Sequence, residues 1–297
     1  MTLARREAAP LTSPLAIPPN MIIAQITDLH ARPPGVRAYA GIDTNAMMRS
    51  AVDAIAALDP LPDCVIATGD LTDCGLPAEY QQVGDAFAQL PIPAFLIPGN
   101  HDRRDVMRAC LAGRHRYLTQ DADFLHYVID DFPVRLIALD TVVGGDHGGE
   151  ICPAREAWLE RTLAQGGGKP TLIFMHHPPF RTGLPAMDSM MCRSAPTFAR
   201  LIARHPEIER VVAGHCHRPI VVRWAGTVGF VAPSTAHQVV LDFESADDNR
   251  FIHEPPGLAL HVYRPGIGIV SHVAVIGDYG PIHSFRLPAE YPGGHPA

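Results

Sequence analysis

Five short polar motifs each follow directly on an apolar run, and this repetition constrains the fold more than any other feature of the sequence. A short apolar run bounded by turn residues is typical of a buried strand. We therefore expect five strands that end in polar side chains. The motifs are Asp28-Leu29-His30, Gly69-Asp70-Leu71-Thr72-Asp73, Pro98-Gly99-Asn100-His101-Asp102, His176-His177-Pro178 and Gly214-His215-Cys216-His217.

The first three motifs belong to an alternation of strands and helices. A β-α-β-α-β order predicts parallel strands joined by right-handed crossovers. In such sheets, ligands bind beyond the carboxyl ends of the strands, so we expect Asp28, Asp70 and Asn100 to meet at one edge. The strands are predicted at 21–27, 64–68 and 94–97, with one helix capped by Asp43 or Thr44 and a second over 78–90.

The rest of the chain continues this alternation as far as His217 and then changes. The long loop 178–194 is predicted to be a lid or recognition element. Beyond His217, short strands without an intervening helix predict a second, mostly antiparallel layer. The predicted elements are a hairpin of 124–129 and 134–139, a helix from Pro153 through 163, a strand at 171–175, a helix at 195–205, and strands at 211–213, 220–224, 228–231, 238–242, 258–263 and 268–276.

Composition and charge exclude several classes of function. The net charge is -7 and no run of Lys or Arg stands out, which argues against binding to a nucleic acid duplex. The six cysteines form no C-x-x-C pair and are interpreted as free thiols in a reducing compartment. Residues 1–20, interpreted as a flexible arm, have no apolar signal region, and no window approaches a membrane span, so a cytoplasmic protein is expected.

The polar motifs supply more metal ligands than one ion needs. A tetrahedral zinc takes about four ligands, whereas a larger set of nitrogen and oxygen donors suits two cations that share a carboxylate. Imidazoles and hard oxygens without a thiolate favour Fe, Mn, Zn or Co. In an extended backbone, the two members of each D-x-H or H-x-H pair share one side and Cys216 points away. The candidate ligands are Asp28, His30, Asp70, Asn100, His176, His215 and His217.

The ordered set D-x-H, G-D-x-x-D, G-N-H-D, H-H-P and G-H-x-H resembles the calcineurin-like metallophosphoesterase superfamily over about residues 21–220. The tail segments 233–238, 254–257 and 276–279 resemble bacterial class III cyclic-nucleotide phosphodiesterases and their glycerophosphodiesterase relatives. The resemblance implies a four-layer α/β/β/α sandwich of two mixed sheets with a C-terminal β extension. It also implies a catalytic domain over 21–243 and a tail over 244–297 that could serve in forming a homodimer or a higher homo-oligomer.

The same resemblance implies roles for individual residues. Asp28, His30, Asp70 and His217 would hold the first metal, and Asp70, Asn100, His176 and His215 the second, with Asp70 bridging. His101 would lie above the substrate, and Asp73 would form a hydrogen bond to His101 and orient it. Protein-phosphatase members have Glu after the Asn-His and Arg after the second Asp of G-D-x-x-D, and this sequence has Asp102 and Cys74 there.

These observations predict a dimetal phosphodiesterase that acts on small diesters, of the cyclic-nucleotide or glycerophosphodiester class. A phosphomonoesterase or nucleotidase on the same site is the first alternative. A catalytically dead scaffold is the second, and it is disfavoured because every ligand position and His101 are filled.

Overall fold

The computed structural model describes residues 20–247 and 249–283, which form two stacked β-sheets with helices on their outer faces. Each sheet contains both parallel and antiparallel strand pairs. The predicted four-layer α/β/β/α sandwich of two mixed sheets is therefore confirmed. The predicted arm at 1–20 lies, apart from Asn20, outside the described residues.

The first sheet contains the strands that carry the first three motifs. Its strands are β1 (Met21–Ile26), β2 (Cys64–Thr68), β3 (Ala94–Ile97), β14 (Gly257–Arg264) and β15 (Gly268–Val275). The strand order is β15-β14-β1-β2-β3. β1, β2 and β3 run parallel, and the hairpin of β14 and β15 is added antiparallel to β1.

The second sheet carries the other two motifs, with antiparallel strands at both edges and parallel strands between them. Its members are β4 (Tyr127–Ile129), β5 (Arg135–Leu139), β7 (Thr171–Met175), β9 (Ile208–Ala213), β10 (Ile220–Trp224) and β11 (Thr227–Val231). Four shorter strands form two separate pairs. They are β6 (Gly149–Glu150) with β8 (Cys192–Arg193), and β12 (Gln238–Val239) with β13 (Phe251–Ile252).

Helix starts follow from local chemistry. Asp43 is the N-cap of the first helix, because its carboxylate accepts a hydrogen bond of 2.9 Å from the main-chain nitrogen of Ala46. Pro153 opens the fourth helix, where its missing N–H is not needed. The helices are α1 (Thr44–Ala56), α2 (Pro77–Phe87), α3 (Arg104–Leu111), α4 (Pro153–Ala164), α5 (Pro185–Asp188) and α6 (Ala195–Ile202), with 3-10 turns at Tyr39–Gly41 and Arg116–Thr119.

Alternation along β5 divides the core into two parts. Leu136 and Ala138 face the first sheet, whereas Ile137 and Leu139 pack with the apolar residues of α4 and α6. The period of two places successive side chains on opposite faces of a strand. Both faces of β5 are buried, which explains why its sequence is a continuous apolar run.

The strands after His217 do not form a layer of their own, and this prediction was wrong. β10 and β11 extend the second sheet, whereas β14 and β15 extend the first. Strand propensity cannot say which sheet edge a strand will join, because that depends on the free edge each sheet presents. The division of the chain at residue 243 stays a prediction, although β14 shares a sheet with β1.

A buried hydrogen-bond network joins the two sheets beneath their carboxyl ends. The amide nitrogen of Gln25 donates to Thr68 Oγ1 and to the carbonyl oxygen of Ala213, both at 2.9 Å. Nε2 of His261 on β14 lies 2.9 Å from the amide oxygen of Gln25. The network thus fixes the ends of β2 and β9, immediately before two of the polar motifs.

Candidate metal centre

All five motifs meet at one end of the sandwich, where the carboxyl ends of the parallel strands face a pocket of about 420 Å³. Asp70, Asn100, His101, His215 and His217 line this pocket. The expected convergence of Asp28, Asp70 and Asn100 is observed, because β1, β2 and β3 are parallel neighbours. The topology therefore brings residues that are up to 189 positions apart into one cluster.

The four residues implied for the first metal form one buried group. Their ligand atoms lie within 4.8 Å of one another in Asp28, His30, Asp70 and His217. Nε2 of His217 is 3.3 Å from Oδ1 of Asp28 and 3.3 Å from Nε2 of His30. Nε2 of His30 is also 3.9 Å from Oδ2 of Asp70. Two imidazole nitrogens and two carboxylates converge on a common point.

The four residues implied for the second metal lie on the other side of Asp70. Nε2 of His176 is 3.4 Å from Oδ1 of Asp70 and 3.0 Å from the side-chain oxygen of Asn100. Nε2 of His215 is buried and has no hydrogen-bond partner among the described residues. The two oxygens of Asp70 thus face different groups, Oδ2 toward His30 and Oδ1 toward His176.

Main-chain carbonyls orient two of the candidate ligands. Nδ1 of His176 lies 2.8 Å from the carbonyl oxygen of Thr68, and Nδ1 of His217 lies 2.8 Å from that of His237. A carbonyl oxygen only accepts, so each Nδ1 carries the proton. In the neutral ring the Nε2 atom that faces the centre then carries the lone pair, which is how metal-bound histidines are usually fixed.

Backbone geometry at the ligands differs from the prediction. Asp28 and His30 were expected on one side of an extended backbone, but their φ values are 54° and 46°, in the left-handed region. The same holds for His215 and His217, with φ values of 69° and 49°. Non-glycine residues in this region cost about 1–3 kcal/mol each and tend to occur at functional sites. Each pair is therefore brought together by tight turns after the strand.

Asp102 ties two of the motifs together. Its carboxylate accepts hydrogen bonds from the main-chain nitrogens of Leu71 and Gly99, both at 2.9 Å, and from the hydroxyl of Tyr80 at 3.0 Å. Burial, and then the charge of Asp70, raise the pKa of Asp102 to about 6. Asp102 thus holds the loops after β2 and β3 and does not face the pocket, consistent with a structural role.

Gly99 permits the closest approach between these two loops. A Cβ atom at this position would overlap the carboxylate and the main-chain nitrogen of Asp70. The requirement for glycine here comes from this contact, since nothing larger than hydrogen fits beside the shared carboxylate.

His101 lies at the pocket wall with its side chain 24% exposed. Its main-chain nitrogen donates to Oδ1 of Asp70 at 2.9 Å, and its Nδ1 lies 2.8 Å from the carbonyl oxygen of Asp73. Nδ1 therefore donates to this carbonyl. The Asp73 carboxylate is farther from His101, at 3.9 Å, and lies 3.3 Å from Nδ1 of His30. The orientation of His101 thus depends on the main chain of Asp73 rather than on its carboxylate.

Burial and mutual contact set the charges of the cluster. Burial alone would raise the pKa of Asp28, but the charge and the hydrogen bond of His217, together with the charge of His176, outweigh burial and lower that pKa to about 2. Burial, reinforced by His176, lowers the pKa of His215 to about 3. Burial opposes protonation of His176 as well, yet the adjacent Asp70 raises its pKa to about 9. The cluster contains ionised carboxylates held among imidazoles.

Two neighbouring residues are excluded from the ligand set by their contacts. His177 uses both ring nitrogens, Nδ1 with Thr141 Oγ1 at 2.8 Å and Nε2 with the carbonyl oxygen of His147 at 3.1 Å. Cys216 is buried in the apolar cluster under the second sheet, and its pKa is raised well above the ordinary value by burial.

The pocket also contains residues that sequence reasoning missed. The Nδ1 atom of His237 is buried and has no hydrogen-bond partner among the described residues. The ring centroid of His237 lies 4.6 Å from that of His217. His147, which belongs to none of the five motifs, also lines the pocket. The family resemblance of segment 233–238, which contains His237, was the feature of the sequence that could have identified this residue. The other missed lining residues are Tyr39, Val239, Asn249, Arg250 and Phe251, whereas Met187 and Met190 come from the predicted recognition loop.

These donors fit a pair of cations. The Nε2 atoms of His30 and His217 face each other, and Nε2 of His176 faces two oxygens, arrangements that a cation between the atoms would satisfy. The buried Nε2 of His215 likewise has a lone pair without a described hydrogen-bond donor. Histidine and carboxylate donors without a thiolate are suited to first-row cations. The donor set therefore fits a dimetal centre, and Asp70 lies between its two groups of donors.

Comparison with known proteins agrees with this geometry. The calcineurin-like phosphoesterase family matches the chain over residues 21–219, which includes all five motifs. None of the helices within the described residues has the length and apolar character to cross a membrane.

Two curated relatives and one solved structure illustrate the similarity. A probable glycerophosphodiester phosphodiesterase of Arcobacter nitrofigilis is 32% identical, over 87% of this chain and 94% of that protein. The 3′,5′-cyclic adenosine monophosphate phosphodiesterase of Escherichia coli K12 is 30% identical, over 77% of this chain and 81% of that protein. A dimetal phosphatase from Danio rerio has the same fold, with a TM-score of 0.60 and 13% identity over 86% of this chain and 99% of that chain.

Proposed function

Because this chain belongs to the calcineurin-like phosphoesterase family, we propose that it is a dimetal phosphodiesterase that hydrolyses small phosphodiesters of the cyclic-nucleotide or glycerophosphodiester class. The observation that carries the proposal is Asp70, whose two carboxylate oxygens face the two groups of candidate ligands. The names of the two relatives support the diester class.

In this proposal each candidate residue has one task. Asp28, His30, Asp70 and His217 hold the first cation, and Asp70, Asn100, His176 and His215 hold the second. When bound, such a cation pair lowers the pKa of a coordinated water toward neutrality and neutralises charge on the phosphoryl oxygens.

His101 and Asp73 complete the proposed catalytic set. With Nδ1 donating to the Asp73 carbonyl, His101 directs Nε2 away from the main chain, as a group that protonates a departing alkoxide must. Burial lowers the pKa of His101, but the nearby carboxylate of Asp70 and the Asp73 carbonyl outweigh it and raise that pKa. His101 is therefore suited to deliver a proton.

The test compares three substrates with the Mn²⁺-loaded protein: bis(4-nitrophenyl) phosphate, 4-nitrophenyl phosphate and 3′,5′-cyclic AMP. We expect diester hydrolysis faster than monoester hydrolysis, with loss of the diester rate in Asn100→Ala. The cyclic AMP rate then distinguishes the cyclic-nucleotide class from the glycerophosphodiester class.

Other outcomes would favour the alternatives. Faster cleavage of the monoester would replace the diesterase by a phosphomonoesterase or nucleotidase. If protein with two bound metals cleaves none of the three substrates, the proposal fails and a non-catalytic scaffold takes its place. Gly113→Ala serves as the control variant, because its added methyl group meets no atom within 4 Å.

Further expectations accompany this proposal. The cations are Fe, Mn, Zn or Co, as the donor set allows. The protein is cytoplasmic, which its six free cysteines support, and it assembles as a homodimer or a higher homo-oligomer. Exposed Val270, Val273 and Val275 on the edge strand β15 support such assembly, since an unpaired edge can be covered by another copy.

A further inference from the structure

Arg32 contacts Asp73, which lies beside the candidate ligand His30, and the proposed mechanism does not use Arg32. Its side chain is 18% exposed, and its positively charged guanidinium lies between the carboxylates of Asp73 and Glu79. One guanidinium nitrogen, Nη1, donates to Oδ2 of Asp73 at 2.9 Å and to Oε1 of Glu79 at 3.0 Å. This arrangement fixes the position of Asp73.

The other oxygen of Asp73 faces a candidate ligand. Oδ1 lies 3.3 Å from Nδ1 of His30, whose Nε2 points into the cluster toward His217. For Nε2 to bind a cation, Nδ1 must carry the proton, and the Asp73 carboxylate is the acceptor in place for it. His176 and His217 are oriented by main-chain carbonyls, whereas His30 depends on a side chain that must itself be held.

Glu79 anchors the arrangement from the far side. It is fully buried at the start of α2, and its Oε2 accepts hydrogen bonds from the main-chain nitrogens of Cys74 and Leu76, both at 3.0 Å. The main chain of Arg32 is held in turn by Asn45, which accepts from its nitrogen at 3.0 Å and donates to its oxygen at 2.8 Å. Hydrogen bonds therefore hold both the main chain of Arg32 and its side-chain partner Glu79 in place.

We propose that Arg32 is a positioning residue for the first metal position. Held by Glu79, it keeps the Asp73 carboxylate against Nδ1 of His30 and thereby sets the affinity of that position for its cation. Hydrogen-bond partners of ligating histidines typically change metal affinity about 10–100-fold. The inference rests on the proposed function only in taking the cluster of Asp28, His30, Asp70 and His217 as a metal position.

The experiment titrates metal-free protein with Mn²⁺ by calorimetry and measures bound metal directly. In Arg32→Met we expect one of the two binding events to weaken about 10–100-fold, with the other unchanged. Arg32→Lys retains the charge but cannot span both carboxylates equally well, so its affinity should lie between those of wild type and Arg32→Met. The control is Arg135→Met, because the Arg135 side chain is also largely buried, at 5% exposed, and pairs with Asp130 at the amino end of β5, opposite the strand ends that carry the candidate ligands.

A second variant tests the route of the effect. Asp73→Asn should weaken the same binding event, and the double variant Arg32→Met/Asp73→Asn should weaken it little further, because both changes remove one interaction. At saturating Mn²⁺, Arg32→Met should regain most of the wild-type kcat with an unchanged KM, since Arg32 is not among the residues that line the pocket.

Two results would overturn the proposal. One is wild-type affinity for both metals in Arg32→Met and Asp73→Asn. The other is equal weakening of both events together with a lowered Tm, which would indicate a purely structural role. If the wild type binds two metals but hydrolyses no ester, the proposed function fails, while the calorimetric comparison still decides the role of Arg32.

Discussion

His261 is a fully buried titratable group, and it makes the stability of the protein dependent on pH in a way that can be calculated. Its ring lies between Gln25, 2.9 Å from Nε2, and Ser271, 2.8 Å from Nδ1. Burial, and then the charge of Arg210, lower the pKa of His261 to about 3. The folded protein therefore keeps this imidazole neutral under conditions in which the unfolded chain protonates it.

The sign and magnitude follow from linkage. Between pH 6.5 and pH 3 the unfolded state binds a proton at His261 that the folded state does not, so the free energy of unfolding falls as the pH falls. With an unfolded pKa of about 6.5, the loss between pH 7 and pH 5 is about 2 kcal/mol. Above pH 7 His261 contributes almost nothing to the pH dependence.

The assay is urea unfolding of wild type and His261→Gln at pH 7 and pH 5, with chelator present so that metal release does not enter. Glutamine is neutral and can both donate to Gln25 and accept from Ser271, which keeps the network between the sheets. We expect wild type to lose about 2 kcal/mol more than the variant between the two pH values. Equal losses would refute the assignment of His261 as a buried neutral histidine.

Three further predictions concern the metal centre. Gly99→Ala should lower bound metal sharply, because its methyl group would overlap the Asp70 carboxylate, whereas Gly113→Ala should bind metal normally; normal metal content in both would contradict the argument. His101→Gln should lower kcat about 10²–10⁴-fold for diesters with alkyl leaving groups and less for 4-nitrophenyl esters, and an equal loss for both would contradict its role as a proton donor. Cys216→Ala should still bind two metals by elemental analysis, since its thiol lies in the apolar cluster, and loss of a metal would show that the thiol is a ligand.

Much of the fold could be predicted because its signals are local. The continuous apolar runs of β1, β2 and β7 indicated buried strands, and Asp43 and Pro153 indicated helix starts. The strands after His217 were assigned to the wrong layer, because the sheet edge a strand joins depends on partners far away in the chain.

The candidate ligands could be predicted for a related reason. Each follows a strand end, and the rule for parallel sheets brings such ends together. Tyr39 and Phe251 carried no such signal, because they reach the pocket from a 3-10 turn and from the antiparallel pair of β12 and β13 rather than from the end of a parallel strand. Nor could periodicity show that Asp28 and His215 adopt positive φ values, since an extended strand was assumed to continue through the motif.

The sequence by itself determined the donor types, their order and their position after strands, because apolar periodicity and turn residues act over a few positions. The tertiary structure alone decided which histidine nitrogen faces the centre, and that Arg32 and Glu79 hold the Asp73 carboxylate beside His30. Those features depend on contacts of a few ångströms between distant segments. Such contacts exist only when the two sheets have packed together.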